Sequence, residues 1–108
     1  MNTKNVETKK ISVVVPFYYE EKCAAYAYER LHGVVSKLEN YCYEFIFVND
    51  GSRDQTLPIL KGIAEEDKNV KIVSFSRNFG HQAAVTAGLR QVTGDVCVII
   101  DADMQDPP

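Results

Sequence analysis

Val96-Cys97-Val98-Ile99-Ile100-Asp101-Ala102-Asp103-Met104-Gln105-Asp106-Pro107-Pro108 is the stretch on which the reading of this sequence turns. An apolar run stops abruptly at a cluster of carboxylates, as a buried strand does when its carboxyl end meets a polar site. Side chains alternate along an extended segment, so Asp101, Asp103 and Gln105 are expected to face the same way. Oxygen donors in that pattern suit a hard divalent cation, Mg2+ or Mn2+, which takes one or two carboxylates together with phosphate oxygens of a substrate. An isolated Asp-x-Asp is a weak motif, and Asp-Pro-Pro is ordinary turn chemistry. Its weight comes from the segments upstream.

Those segments alternate in period. Ile11 to Phe17 is β-branched and nearly all apolar, a strand covered on both faces. A helix is predicted from about Glu20 to Leu38, with Ala24, Tyr28, Leu31, Val35 and Leu38 on one face. Tyr43 to Val48 is a second strand, followed by the turn Asn49-Asp50-Gly51-Ser52. Ser52 or Asp54 is placed to cap a helix from about Gln55 to Glu66, whose inward residues are Leu60, Ile63 and Ala64. Val70 to Phe75 is a third strand. A third helix runs from His81 to Val92, with Val85, Leu89 and Val92 as its apolar face and Gly94 as its stop. Val96 to Ile100 is the fourth strand. Strands alternating with helices give an α/β fold with a parallel sheet and helices on both faces. Right-handed crossovers favour a Rossmann-like order 3-2-1-4. Ligands in such sheets bind at the carboxyl ends of the strands. The loops 18–21, 49–54, 77–81 and 101–106 are therefore expected at one edge.

Composition bounds the rest. The chain has 108 residues, 45% hydrophobic and 25% charged, with a net charge of −3. That suits one domain with a modest core and, with its cations scattered, no nucleic-acid partner. No apolar run has the length of a transmembrane helix. Residues 1–10 read as a flexible polar tail and 11–108 as the folded part. Three cysteines, Cys23, Cys42 and Cys97, lack the spacing of a zinc site, and an odd count argues against a disulfide framework. Cys97 is expected to pack as a small hydrophobe, and the whole fits a cytoplasmic setting. There is no G-x-G-x-x-G and no G-x-x-x-x-G-K-[ST]. A nucleotide bound here needs a metal for its pyrophosphate.

Val14-Val15-Pro16-Phe17-Tyr18-Tyr19-Glu20-Glu21, Val48-Asn49-Asp50-Gly51-Ser52-Arg53-Asp54, Ser76-Arg77-Asn78-Phe79-Gly80 and Asp101 to Pro108 follow one another in the order of a known family. Together they resemble the inverting family 2 glycosyltransferases of GT-A fold, most closely the subgroup that loads a sugar onto a polyprenyl or dolichol phosphate. The resemblance implies a nucleotide-diphospho-sugar donor (UDP- or GDP-linked), a divalent cation and a polyprenyl-phosphate acceptor at a membrane. By position it places Pro16, Phe17, Tyr18, Glu20, Asp50, Arg77, Asp101 and Ala102 around the nucleotide, with Asp50 holding the base. It makes Asp101, Asp103 and Gln105 the metal ligands and puts the catalytic base outside these residues. The family commonly has Asn where this chain has Tyr19, and often Asp where it has Asn49.

The chain stops beside the carboxylate cluster, so it reads as the donor-binding part of a longer domain without a complete acceptor site. The parent is expected to be membrane-associated on the cytoplasmic face. An uncovered sheet edge at the fourth strand predicts self-association. A nucleotide-binding module without catalysis is the competing reading. A response-regulator-like domain fits poorly, because Pro-Phe-Tyr-Tyr stands where it needs an acidic pair. Asp54 reads as a helix cap, His81 as a first-turn helix residue, and His32 as structural.

Overall fold

A run such as Val13-Val14-Val15 with every residue buried needs cover on both faces, and the chain supplies it with helices. The structure is a computed structural model that describes residues 9–102. In chain order the elements are β1 (Lys9–Phe17), α1 (Ala24–Val35), β2 (Tyr41–Asn49), α2 (Thr56–Glu66), β3 (Val70–Ser74), α3 (His81–Leu89) and β4 (Val96–Ile99). The four strands form one parallel sheet in the order β3-β2-β1-β4, as expected. No described helix is long and apolar enough to cross a membrane.

The two faces of the sheet are packed differently. Val13, Val15 and Phe17 of β1 and Phe45 and Phe47 of β2 point to one side, where they meet Ala24, Leu31 and Val35 of α1 and Leu60 of α2. Phe17 and Phe47 touch edge to face with centroids 5.2 Å apart. Each such ring, fully buried, stabilises the fold by about 1.5–3 kcal/mol. On the same side the Asp67 carboxylate accepts hydrogen bonds from the hydroxyls of Tyr28 (2.6 Å) and Tyr43 (2.8 Å), joining α1 and β2 to the turn after α2. On the other side Val14, Ile46 and Val48 pack against Ala84 of α3.

The structure departs from the sequence reading in four places. First, β1 starts at Lys9, so Lys9 and Lys10 belong to the sheet and not to the tail; residues 1–8 lie outside the described residues. Second, α1 is shorter than predicted, and Leu38 falls beyond it and is exposed. Third, α3 presents Ala84 and Gly88 to the sheet while Leu89 is exposed. The reason is close approach: a Cβ built on Gly88 would overlap Val14 Cγ1 and come within 3.2 Å of Val48 Cγ2. Only small residues fit there. Gly94 also has a role other than helix stop, because its Cβ would lie 2.5 Å from Ser12 Oγ and 2.8 Å from the Lys10 carbonyl. Fourth, Cys97 is exposed, as are Val96, Val98 and Ile99. β4 pairs with β1 only, so its other edge is open among the described residues.

One buried carboxylate ties β1, β2 and β3 to the α3–β4 connection. Glu44, 2% exposed, accepts from the Ser12 hydroxyl at 2.6 Å, the Thr93 N–H at 2.8 Å and the Thr93 hydroxyl at 3.1 Å. Lys71 Nζ pairs with it at 2.9 Å and Lys10 Nζ at 3.6 Å. Burial alone would raise its pKa. The bonds from Ser12, Lys71 and Thr93 outweigh burial and pull it down to about 2. A depressed carboxyl pKa stabilises the fold above the ordinary value of 4.5, and that stabilisation is lost as pH falls through the folded value. We expect urea unfolding to show wild type losing about 3 kcal/mol more than Glu44→Gln between neutral pH and about pH 2. Parallel acid curves for the two proteins would refute this role of Glu44.

Candidate functional site

The carboxyl ends of all four strands share one edge because the sheet is parallel, and the loops there are tied to one another. After β1 the Tyr19 N–H donates to Ser52 Oγ (2.7 Å) and the Glu20 N–H to Thr56 Oγ1 (3.0 Å). The Glu21 carboxylate in return accepts the Gln55 N–H at 2.8 Å. Ser52 therefore holds the neighbouring loop and does not cap α2. Asp54 does serve the start of α2, accepting the Thr56 N–H at 2.9 Å. Burial pushes the Asp54 carboxyl up, but its bonds from Thr56 outweigh this and lower it.

Asn49 is buried at the end of β2. Its amide donates to Ser74 Oγ at 3.3 Å and accepts from the Ser52 N–H at 3.2 Å. An ionised Asp at this position accepts only, so the amide suits this two-way arrangement. Asp50 is also buried. Its Oδ1 accepts the Phe79 N–H at 2.8 Å, and its Oδ2 accepts Asn78 Nδ2 at 2.9 Å and the Gly80 N–H at 3.1 Å. The carboxylate that the resemblance assigns to the base thus accepts three N–H groups of the β3–α3 loop.

These loops surround a cleft of about 470 Å³. Pro16, Phe17, Tyr18, Glu20, Asp50, Asp101 and Ala102 line it, all of them residues singled out in the sequence. Phe17 and Ala102 are buried, and Asp101 is exposed. Arg77 is not among the lining residues; its guanidinium lies over the Phe79 ring, 4.6 Å from the centroid. Asp103 and Gln105 lie outside the described residues. Among the described residues no group of three or more His, Cys, Asp or Glu is placed to hold a metal ion. Asn78, Gly80 and His81 line the cleft without having been assigned to it. Asn78 and Gly80 stand in the quoted Ser76–Gly80 segment, which was the available signal. His81 was read only as the first residue of a helix; it is that, and it also lines the cleft.

Among the described residues the lining carries the carboxylates of Glu20, Asp50 and Asp101 and no lysine or arginine.

The sequence profile for glycosyl transferase family 2 matches residues 12–108. The uncharacterized glycosyltransferase YkcC of Bacillus subtilis is 50% identical over 97 residues, which are 90% of this chain and 30% of that protein. The prophage bactoprenol glucosyl transferase homolog of Escherichia coli is 43% identical over 98 residues, 91% of this chain and 32% of its own length. Among solved structures, S. aureus TarS 1–349 in complex with UDP-GlcNAc superposes with a TM-score of 0.72 at 29% identity, over 87% of this chain and 26% of that one. The chain spans about a third of the length of the curated relatives it matches.

Tyr19 offers a test of the loop geometry. Its φ of 53° lies in the left-handed region, which costs a non-glycine L-residue about 1 kcal/mol or more and which Asn tolerates better. Its ring is half-exposed and meets Tyr18 at 4.8 Å. We expect Tyr19→Asn to raise stability by about 0.5–1 kcal/mol in a denaturant titration. A loss of stability would show that the ring contact outweighs the backbone strain.

Proposed function

This chain belongs to glycosyl transferase family 2, and we propose that it forms the donor-binding part of a GT-A glycosyltransferase that moves a sugar from a nucleoside diphosphate to a polyprenyl phosphate with inversion. One observation carries the donor half: a cleft at the carboxyl edge of the sheet, built from all four loops, with an acidic wall. A nucleoside diphosphate enters such a cleft only with a cation beside it, since like charges repel in a partly desolvated site. The exposed carboxylate of Asp101 on that wall fits such an ion, and Asp103 and Gln105, two and four residues further on, supply oxygen donors of the same kind. These residues would hold Mg2+ or Mn2+, which would supply positive charge to offset that of the departing nucleoside diphosphate.

The chain's own residues do the binding and orienting. Pro16, Tyr18 and Ala102 shape the apolar wall, and Glu20 presents a polar group to the ribose or sugar. The attacking phosphate reaches the anomeric carbon from the face opposite the leaving group, and no residue of this chain is assigned as base. The bactoprenol relative supports the polyprenyl acceptor, and with a lipid-borne acceptor the parent is proposed to be membrane-associated on the cytoplasmic face. The TarS complex supports a uridine diphosphate donor.

Titration calorimetry tests the donor site. UDP or GDP is expected to bind in the presence of Mn2+ and not without it, and Asp103→Ala to weaken binding at least tenfold. Equal binding with and without Mn2+ would overturn the metal-dependent reading.

The edge of β4 that is open among the described residues is proposed to pair with a second copy of the chain, because an exposed strand carrying Val96, Val98 and Ile99 is a template for strand pairing. Light scattering is expected to give a mass above the monomer's at high concentration, falling to the monomer's in Val98→Lys. A monomer at every concentration would dismiss this interface.

A further inference from the structure

We infer that Ser52 and Thr56 are positioning residues for the donor: their hydroxyls grip the backbone of Tyr19 and Glu20 and hold the loop after β1 as a preformed wall of the cleft. The consequence for donor binding rests on the function proposed above; the grip on the loop does not.

Two independent features meet in this loop. The first is the pair of hydroxyls. Ser52 Oγ accepts the Tyr19 N–H at 2.7 Å, and Thr56 Oγ1 accepts the Glu20 N–H at 3.0 Å. Both side chains are buried, so the bonds are made inside the fold. The Thr56 hydroxyl and the Glu21 backbone also hydrogen-bond the Asp54 carboxylate. An ionised carboxylate only accepts, so the Thr56 proton goes to Asp54 and the Thr56 oxygen is left to accept from Glu20. The Glu20 carbonyl in turn accepts the N–H groups of Cys23 and Ala24, both at 2.9 Å. Glu20 is therefore held on both sides of its Cα. The second feature is the Tyr19 backbone, whose φ of 53° is left-handed. A non-glycine residue stays in that region where its surroundings over-determine it.

The grip sets what the cleft presents. Tyr18 and Glu20 flank the strained residue, and both line the cleft. Ser52 and Thr56 do not line it, so they act on a ligand only through the loop. A loop free to leave its binding conformation weakens a ligand in proportion to the time it spends elsewhere. Two buried hydroxyls at the start of α2 remove that loss before the ligand arrives.

Amide hydrogen exchange on the ligand-free 108-residue chain, read residue by residue, is the first test. The Tyr19 amide is expected to exchange about tenfold faster in Ser52→Ala, and the Glu20 amide about tenfold faster in Thr56→Val, while the Phe47 amide in the core stays protected. Thr56→Ser keeps the oxygen and should return Glu20 to its wild-type rate. The second test is titration of UDP and of GDP, each with Mn2+. Ser52→Ala and Thr56→Val should weaken binding about tenfold, and Thr56→Ser should restore it. Tyr28→Phe removes a 2.6 Å bond to Asp67 outside the cleft and should leave binding unchanged. Should Thr56→Val fail to fold, Ser52→Ala carries both comparisons. Unprotected Tyr19 and Glu20 amides in wild type, or unchanged exchange in the folded variants, would overturn the grip. Faster exchange with undiminished nucleotide affinity would overturn the positioning role, as would equal weakening by Tyr28→Phe. If neither nucleotide binds wild type, the donor reading fails, and the exchange data still decide the grip.

Discussion

Strand β1 is paired on both sides and covered on both faces, and the rest of the structure follows from that double constraint. It runs parallel to β2 along its whole length and to β4 over residues 11–14. Parallel pairing cannot be made by a hairpin, so each connection needs a crossover, and each crossover here is a helix. Burial of Val13, Val14 and Val15 then requires those helices to lie on both sides. The same geometry brings the carboxyl ends of every strand to one edge. A cleft formed by four loops is the consequence.

The molecule separates stability from binding along the sheet. Near the amino-terminal end of β2, Glu44 is buried, its charge offset by Lys71 and Lys10 and by hydrogen bonds from Ser12 and Thr93. Burying a carboxylate costs several kcal/mol unless such partners are present. At the carboxyl edge Asp101 is exposed on the cleft wall. Asp50 stands between these cases. It is nearly as buried as Glu44 and accepts three N–H groups in place of ammonium partners, yet it borders the cleft.

The strands were legible because each is a short run rich in β-branched and aromatic residues, bounded by turn residues. All four were placed to within two residues at each end, and their order is the leading one among the few topologies that right-handed crossovers leave. Helix α3 was less legible. Its apolar periodicity pointed to Val85, Leu89 and Val92, but α3 lies so close to Val14 that Ala84 and Gly88 face the sheet. Hydrophobic periodicity assumes that the largest apolar side chains face inward, and close helix–sheet approach reverses that. Cys97 was misread for a related reason. An apolar strand is recognisable in sequence, but whether anything covers it is not.

The sequence by itself determined the alternation of elements, the parallel order of the sheet, the family resemblance and the grouping of the loops, because periodicity and handedness are local rules with few global solutions. It also named most of the cleft lining. The tertiary structure alone decided which polar groups are committed and which are exposed. It gave the Asp50 carboxylate to three N–H groups nearly thirty residues away, turned Arg77 onto Phe79 and brought His81 to the cleft. A side chain's type is written in the chain, but its hydrogen-bond partners depend on which distant backbone groups the fold delivers to it.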